Sequence, residues 1–304
     1  MGIQTEKIWM DGRLVDWQEA KVHVLTHALH YGSGVFEGIR AYETATGPAV
    51  FRLKEHVDRL FDSAKLLYMD IPFTREEIAE AIKDTIRANH LKSCYIRPVV
   101  YRGLGEMGLN PLKCPVNVFI AVWPWGAYLG EEGLAKGIRA KVTSWVRNHI
   151  SSFPAKGKIN GGYVNSILAK VDAIKSGYDE AIFLDADGYV AEGSGENIFW
   201  AKDGVIYTTP LPTVLRGITR ASLIELARDM GYQVVETKAA RDELYLADEV
   251  WFCGTAAEIT PVREIDGYVI GNGCRGPIVE ALQKRFFAVV HGEVPEYEKW
   301  LARV

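Results

Sequence analysis

The order of apolar and polar residues predicts a mixed α+β chain. Apolar residues that recur every three to four positions predict helices at about 54–69, 74–89, 163–176, 218–230 and 277–291. Short runs rich in β-branched and aromatic residues predict strands at 7–10, 13–15, 38–42, 49–53, 95–101, 116–122, 138–145, 180–185 and 248–253. These helices and strands do not alternate regularly, so the pattern favours an α+β fold over a doubly wound sheet.

Two of the predicted helices carry a distinct apolar face. The helix at 54–69 aligns Val57, Leu60, Phe61, Ala64 and Leu67. The helix at 163–176 aligns Val164, Ile167, Leu168, Val171 and Ile174, and Gly177 ends it.

A glycine-rich stretch divides the chain. Residues 124–137 hold four glycines without a clear period, and a new strand pattern begins at Ile138. We therefore predict a small N-terminal α+β domain over 1–124, a linker loop over 125–137 and a large C-terminal domain over 138–304.

Composition narrows the class of protein. The 304 residues are 48% hydrophobic and 24% charged, with a formal net charge of −4, which gives no attraction to nucleic acid or to an anionic membrane. No apolar run approaches the roughly 20 residues of a membrane span, and the N-terminus has no apolar signal core. Cysteines 94, 114, 253 and 274 form no paired motif, which predicts reduced thiols in the cytoplasm rather than a metal site. His23, His27 and His30 have no carboxylate at a ligand spacing, so packing or interface roles are favoured over metal binding.

One lysine stands in an unusual setting. Lys158 lies among small residues and glycines just before a predicted helix, which leaves room around its amine for a planar partner. Lys156 is only two residues away, but it lacks the K-x-x-G-x-Y spacing that leads from Lys158 to Tyr163.

Three further features suit anions. Gly217 and Thr219 lie at the first turn of a predicted helix, where free backbone N–H groups attract phosphate. Arg59 lies beside an apolar helix face, where it needs an anion or forms an ordinary surface pair. Tyr95 and Arg97 share one face of a strand, an arrangement that suits a carboxylate ligand.

Several sequence blocks resemble a known family. Residues 192–199, Thr208, residues 217–220 and the Lys158–Tyr163 stretch resemble the class IV (fold-type IV) pyridoxal-phosphate aminotransferases. Residues 27–40, 95–98, 124–128, 245–250 and 254–261 narrow the resemblance to the branched-chain amino-acid aminotransferases. The blocks occur in the expected order over most of the chain. The resemblance implies the two-domain fold-type IV architecture and pyridoxal 5'-phosphate as cofactor.

The resemblance also implies roles for cofactor-binding residues. Lys158 would hold the cofactor covalently and then act as the acid/base that moves the substrate proton. Tyr163 would hydrogen-bond the 3' oxygen, and Glu192 would keep the pyridine nitrogen protonated. Leu215 would pack on the ring, with Asn197 or Glu196 supporting the site. The phosphate would be held by Arg59, Gly217, Ile218, Thr219 and Thr255.

For the substrate, the resemblance implies two sets of contacts. Tyr95 and the amides of Thr255 and Ala256 would receive the α-carboxylate, and Arg97 the side-chain carboxylate of glutamate or 2-oxoglutarate. The apolar pocket would be lined by Phe36, Trp125, Tyr128 and Ala257 and, from a second subunit, by Tyr31, Met107 and Leu109. Residues supplied by a second subunit imply at least a homodimer. Arg102 and Glu106 add charge to the loop near this pocket, and the sequence does not show which way they point.

The leading functional hypothesis is ping-pong transfer of the amino group of L-leucine, L-isoleucine or L-valine to 2-oxoglutarate. Alternatives in the same fold are a D-amino-acid aminotransferase and an amine transaminase. The D-amino-acid enzymes carry an arginine and a histidine one residue apart on the strand of Tyr95 and Arg97, whereas this chain has Val99 at the histidine position. An aminodeoxychorismate lyase is disfavoured by the 95–98 and 254–257 blocks. A binding protein without cofactor is disfavoured because Lys158, Glu192, Arg59 and Tyr163 are all present.

Overall fold

The computed structural model of the chain describes residues 3–126 and 128–304. Its helices are α1 (His27–Tyr31), α2 (Leu53–Leu66), α3 (Arg75–Ala88), α4 (Glu131–Lys136), α5 (Tyr163–Lys175), α6 (Ile218–Asp229), α7 (Arg241–Tyr245) and α8 (Pro277–Val290). Its strands are β1 (Lys7–Met10), β2 (Arg13–Asp16), β3 (Gly34–Phe36), β4 (Ile39–Thr44), β5 (Gly47–Phe51), β6 (Cys94–Arg102), β7 (Val116–Trp123), β8 (Ile138–Val146), β9 (Glu180–Leu184), β10 (Val190–Gly193), β11 (Asn197–Lys202), β12 (Val205–Thr208), β13 (Val234–Glu236), β14 (Glu249–Gly254), β15 (Glu258–Ile265), β16 (Tyr268–Val269) and β17 (Leu301–Arg303).

The chain forms two compact units that are not continuous in sequence. Unit 1 comprises Met1–Trp125, Gly157–Gly162 and Val289–Val304, and unit 2 comprises Gly126–Lys156 and Tyr163–Ala288. The sequence predicts continuous domains with Lys158 in the C-terminal one, whereas the segment with Lys158 groups with unit 1. The reason is local pairing, because Ile159 forms a β-bridge with Val35. The predicted domain limits at 124/125 and 137/138 stay a prediction. The predicted domain and linker ranges include residues 1, 2 and 127, which lie outside the described residues.

Unit 1 is built on an antiparallel sheet. The strand order is β17-β5-β4-β6-β7-β1-β2, and β3 pairs with β6 beside this path. The β1–β2 hairpin turns at Asp11 and Gly12, whose φ values of 45° and 94° are typical of a tight hairpin turn. Helix α3 begins with a capping box between Thr74 and Glu77, which satisfies two backbone donors at its first turn.

Unit 2 is built on a mixed sheet. The strand order is β10-β9-β8-β15-β14-β11-β12-β13, and β16 pairs with β15. Strand β8 runs parallel to both β9 and β15, whereas β14 is antiparallel to both of its neighbours. Buried side chains of β8, β11, β14 and β15 form the main core, with Phe252 and Trp200 among the largest.

The helices predicted from periodicity are present with nearly the predicted bounds. Helix α4 lies inside the predicted linker, where the glycines at 130 and 137 flank it with φ values of 83° and 92°. Because α4 has only six residues, its apolar period is too short to read from the sequence. In the described ranges, no helix has the length and apolar character that crossing a membrane requires.

Candidate active site

The backbone of Lys158 is fixed on both sides in unit 1. Its N–H donates to Ser63 Oγ at 3.0 Å, and its carbonyl accepts from Phe36 N–H at 3.0 Å. Ser63 is fully buried on α2, so the segment packs against that helix. The Lys158 Nζ lies 5.0 Å from the centroid of the Phe36 ring. The amine therefore projects from an anchored backbone, as a residue that must hold a ligand in one orientation requires.

Two glycines make this anchoring possible. Gly161 N–H donates to Gly32 O at 3.2 Å, and a Cβ on Gly32, whose φ is +66°, would lie 2.8 Å from Gly161 Cα. Glycine is therefore required where the lysine segment meets the end of α1.

Arg59 is bound by a buried acid. Its Nε donates to Glu37 Oε1 at 2.6 Å and its Nη2 to Glu37 Oε2 at 2.8 Å. His56 Nδ1 lies 2.7 Å from Glu37 Oε2. Arg59 lowers the pKa of Glu37 strongly despite burial, while burial lowers the pKa of His56. Glu37 is therefore a carboxylate, and its Oε2 accepts the hydrogen carried by His56 Nδ1.

Four predicted substrate residues also lie together in unit 1. Arg97 Nη2 donates to the Tyr95 hydroxyl at 3.1 Å, and its guanidinium carbon lies 4.6 Å from the Phe36 ring centroid. Trp125 packs edge-on to Tyr95 with centroids 4.7 Å apart. Among the described residues, no atom accepts a hydrogen bond from the buried Arg97 Nε. A cation with an unsatisfied buried donor inside an aromatic group suits a carboxylate ligand. A Cβ on Gly38 would lie 2.1 Å from the Tyr95 hydroxyl oxygen, so glycine leaves room for that phenol.

The amine of Lys156 binds backbone carbonyl oxygens close to the start of α6. Its Nζ donates to the carbonyl oxygens of Leu211 and Val214, the latter at 2.9 Å. Burial, and secondarily the charge of Arg216, lowers the pKa of the Lys156 amine. This amine secures the chain ahead of α6, which distinguishes the two lysines by their contacts.

Glu192 lies at the centre of the predicted cofactor residues of unit 2. The residue is 4% exposed, and its Oε1 lies 2.8 Å from Arg147 Nη2. Its Oε2 accepts from Leu215 N–H at 3.2 Å and from Asn197 Nδ2 at 3.3 Å. Asn197 Nδ2 also donates to Leu215 O at 3.1 Å. The carboxylate is thus oriented by two hydrogen-bond donors and by an ion pair with Arg147. Asn197 and Leu215 were predicted from the sequence, whereas Arg147 was not.

The start of α6 has the features of a phosphate seat. Gly217 is the N-cap, and no side chain caps the first turn. A Cβ on Gly217 would lie 1.9 Å from Asn197 Oδ1, so glycine lets the helix start approach the Asn197–Glu192 pair. Ile218 begins the helix, and Thr219 is buried. The first-turn N–H groups carry the positive end of the helix dipole.

The turn between β14 and β15 holds the other predicted ligand residues of unit 2. Thr255 and Ala256 are half-buried, and Ala257 is buried, with its carbonyl accepting from Thr260 Oγ1 at 2.7 Å. In the sheet, Asn197 pairs with Cys253, two residues before this turn. Tyr163 is the half-buried first residue of α5, and Tyr128 is 37% exposed with Lys170 Nζ 5.5 Å from its ring centroid. Glu196 Oε2 accepts from Gly195 N–H at 3.0 Å, and the side chain of Asn197 donates to Glu192.

The three residues assigned to a second subunit form one exposed group in unit 1. The His27 ring packs against the Tyr31 ring at a tilt of 42°, with centroids 4.6 Å apart, and its Nε2 donates to Gly108 O at 2.8 Å. Gly108 lies between Met107 and Leu109, so His27 joins α1 to that loop. Tyr31, Met107 and Leu109 are all exposed.

Arg102 and Glu106 do not share an orientation. Arg102 is buried and donates to the carbonyl oxygens of Cys114 and Tyr68. Glu106 is exposed and pairs with Lys113 at 2.9 Å. Arg102 therefore supports its own loop and the end of α2.

These residues fit pyridoxal phosphate. Unit 1 offers an anchored lysine amine and an arginine fixed by a carboxylate. Unit 2 offers an uncapped helix start and a buried, oriented carboxylate. An amine can bind an aldehyde, an arginine or free helix N–H groups can bind a phosphate, and a carboxylate can bind a protonated ring nitrogen. Within the described part of the chain, no cluster of three or more His, Cys, Asp or Glu residues is placed to hold a metal.

Known proteins are similar to this chain in sequence and in fold. The profile of the family described as "Amino-transferase class IV" matches residues 34–265. The branched-chain-amino-acid aminotransferase of Pseudomonas aeruginosa is 53% identical over 293 residues, which cover 96% of this chain and 95% of that protein. A T.th. branched-chain amino acid aminotransferase with pyridoxamine 5'-phosphate superposes with a TM-score of 0.97 at 54% identity, covering 99% of each chain. Its complex with N-(5'-phosphopyridoxyl)-L-glutamate superposes with a TM-score of 0.95 at 52% identity, again over 99% of each chain.

The chain therefore belongs to the class IV aminotransferases and, within them, to the branched-chain-amino-acid aminotransferase family. The predicted α+β fold of type IV is confirmed. Sequence reasoning missed four side chains that support the site, namely Glu37, His56, Ser63 and Arg147. Glu37 and His56 could have been found as polar residues within otherwise apolar stretches, whereas Arg147 leaves no such signal in the sequence.

Proposed function

We propose that this chain is a pyridoxal-phosphate-dependent transaminase that transfers the amino group of L-leucine, L-isoleucine or L-valine to 2-oxoglutarate in a ping-pong reaction. Family membership supports the reaction class and the branched-chain donors. The observation that carries the proposal is Lys158, whose backbone N–H and carbonyl are both bound while its amine projects over Phe36. The glutamate adduct bound by the T.th. relative supports glutamate and 2-oxoglutarate as the second substrate pair.

When bound, pyridoxal phosphate supplies an aldehyde that takes up the amino group and a ring that withdraws electrons from the substrate α-carbon. The Lys158 amine would hold the cofactor and, when free, would take the proton from that α-carbon. Glu192 would keep a proton on the ring nitrogen, Tyr163 would hydrogen-bond the 3' oxygen, and Leu215 would pack on the ring. The phosphate would be held by Arg59, Gly217, Ile218, Thr219 and Thr255.

The substrate is recognised by a phenol, a guanidinium and an apolar wall. Tyr95 and the amides of Thr255 and Ala256 receive the α-carboxylate. Arg97 receives the distal carboxylate of glutamate, which the unsatisfied Arg97 Nε supports. Phe36, Trp125, Tyr128 and Ala257 contact the branched side chain, where each buried CH₂ contributes about 0.8 kcal/mol.

A homo-oligomer is part of the proposal. Helix α5 buries only its small residues Ser166, Ala169 and Ala173, whereas its apolar face is 40% to 59% exposed. That face consists of Val164, Ile167, Leu168, Val171 and Ile174. An apolar helix face of this extent is typical of an interface. We propose that a second copy covers it and that Tyr31, Met107 and Leu109 of one copy complete the apolar wall of the other.

A cytoplasmic location is also proposed. All four cysteines are free thiols, and Cys94, Cys114 and Cys253 are buried. This usage is typical of proteins in a reducing compartment.

A half-reaction screen tests the proposal and separates it from the D-amino-acid alternative. The protein loaded with pyridoxal phosphate is mixed with L-leucine, D-leucine, D-alanine or 1-phenylethylamine, and the visible absorbance of the cofactor is followed. We expect rapid loss of the absorbance with L-leucine alone. Faster loss with a D-amino acid or with the amine would replace the proposed substrate class. The buried Val99, in the place of a histidine, supports the expected result.

A further inference from the structure

A second layer of polar residues lies behind the proposed phosphate ligand Arg59. Glu37 is fully buried in the short connection after β3, and His56 is buried one turn before Arg59 on α2. Glu37 accepts from Nε and Nη2 of Arg59 and from Nδ1 of His56. All three side chains belong to unit 1.

We propose that Glu37 and His56 are positioning residues that fix the direction of the Arg59 guanidinium, so that it binds the cofactor phosphate in one geometry. This inference rests on the proposed role of Arg59 and adds two residues to it. The pair acts through Arg59 and contacts no phosphate itself.

The geometry explains how the pair works. A guanidinium that is held along its Nε–Nη2 edge cannot rotate, so its other N–H groups keep one direction. The carboxylate would itself be free to turn about its last bond, and the His56 hydrogen bond to Oε2 prevents this. His56 and Arg59 both lie on α2 and both bind Glu37, so the carboxylate fixes the arginine side chain relative to its own helix.

The position of the pair links it to the cofactor lysine as well. The residues at 56, 59 and 63 follow one another on the same side of α2, and Ser63 binds the Lys158 backbone. Phe36, next to Glu37 in sequence, binds the Lys158 carbonyl. One helix face and one strand end therefore hold both the phosphate arginine and the lysine.

The negative charge of Glu37 and its effect on the orientation of Arg59 predict opposite changes in phosphate affinity when Glu37 is replaced. A nearby negative charge repels a phosphate dianion, so by charge alone Glu37→Gln would strengthen phosphate binding. If orientation dominates, the same change weakens it, because glutamine keeps only one of the two acceptor oxygens that Nε and Nη2 of Arg59 use. The sign of the change therefore decides between the two.

The experiment compares pyridoxal 5'-phosphate with pyridoxal, which lacks the phosphate but still reacts with the lysine. Dissociation constants of both are measured by spectroscopic titration of the full-length protein after removal of cofactor. The quantity compared is the phosphate ratio, which is the affinity for pyridoxal phosphate divided by the affinity for pyridoxal. For Glu37→Gln we expect the phosphate ratio to fall about tenfold or more. In an Arg59→Lys background, Glu37→Gln should change the phosphate ratio little, because the pair acts through Arg59.

A pair of His56 variants keeps the test sharp if Glu37→Gln does not fold. Asparagine retains a donor close to the Nδ1 position, whereas phenylalanine removes it. We expect His56→Phe to lower the phosphate ratio several-fold and His56→Asn to keep most of the normal value. The inference would be overturned if Glu37→Gln lowered the affinity for both ligands equally or raised the phosphate ratio. It would also be overturned if the two His56 variants had the same phosphate ratio. Failure of the unsubstituted protein to bind pyridoxal phosphate would instead overturn the proposed function.

Discussion

The carboxylate of Glu192 lies 2.8 Å from the guanidinium of Arg147 and also accepts from Leu215 N–H and Asn197 Nδ2. A buried carboxylate that lies beside a guanidinium and accepts two N–H hydrogen bonds is fixed in direction. Such a group can stabilise a second cation, and the protonated ring nitrogen of the cofactor is the cation that the proposed function provides. Under the proposed function, Arg147 is the first partner of the acid, and the ring nitrogen would be the second.

We predict that Glu192→Gln greatly slows the reaction, because a neutral amide does not keep the ring nitrogen protonated. The single-turnover rate with L-leucine should fall by roughly a hundredfold or more, the order seen when one preorganised electrostatic contact is removed. Rapid mixing with absorbance detection measures this rate. Glu243→Gln, exposed on α7, is the control and should react like the unsubstituted protein. A rate for Glu192→Gln within a fewfold of normal would contradict the role of the acid.

Arg97→Met should separate the two half-reactions. Arg97 donates to Tyr95 and has a buried Nε without an acceptor in the described residues, so we assign it to the distal carboxylate of 2-oxoglutarate. We expect KM for 2-oxoglutarate to rise at least roughly tenfold, as expected for loss of a charge-assisted contact, with a much smaller change for L-leucine. Steady-state kinetics with each substrate varied in turn would show it. Equal losses for both substrates would point to a structural role for Arg97.

Arg102→Met should affect stability and leave substrate preference unchanged. The buried guanidinium binds the carbonyl oxygens of Cys114 and Tyr68, and methionine leaves both without this donor. We expect the free energy of unfolding to fall by about 2–4 kcal/mol. Urea denaturation of the variant, with Lys21→Met as an exposed control, measures this difference. A changed order of amino donors at normal stability would show that Arg102 faces the substrate.

His56 should make folding stability depend on pH. Burial lowers its pKa from the ordinary value of 6.5, with Glu37 opposing that shift and Arg59 and Lys158 assisting it. The folded protein then binds fewer protons than the unfolded chain, so stability is lost as pH falls below about 6.5, by at most roughly 1.4 kcal/mol per pH unit. Urea midpoints of the unsubstituted protein and of His56→Asn between pH 7.5 and 5.5 test this. The variant should show the shallower slope, and identical slopes would mean that the pKa of His56 is the same in the folded and the unfolded chain.

Much of the fold could be predicted from the sequence, because helix faces and strand alternation are local patterns. Helix α2 has the predicted apolar positions 57, 60 and 64 buried. The same helix also buries His56 and Ser63, which periodicity does not reveal because a buried polar group is explained only by its partner elsewhere in the chain. Glu37 and the backbone of Lys158 are those partners.

Helix α5 shows a second limit of prediction from hydrophobic periodicity. Its apolar face is clear in the sequence, yet that face is exposed and the small residues are buried. Periodicity identifies a face, but it does not say whether the face packs within the chain or against another copy. The residues of the candidate site were named mainly through resemblance, whereas their supporting contacts required the three-dimensional structure.

The most direct test of the whole account is to locate the cofactor on the chain. The purified protein, loaded with pyridoxal phosphate, is reduced with borohydride and digested, and mass spectrometry identifies the modified lysine. We predict modification at Lys158 and none at Lys156, whose amine already binds the carbonyl oxygens of Leu211 and Val214. Modification at Lys156, or a protein that carries no covalent cofactor, would contradict the account.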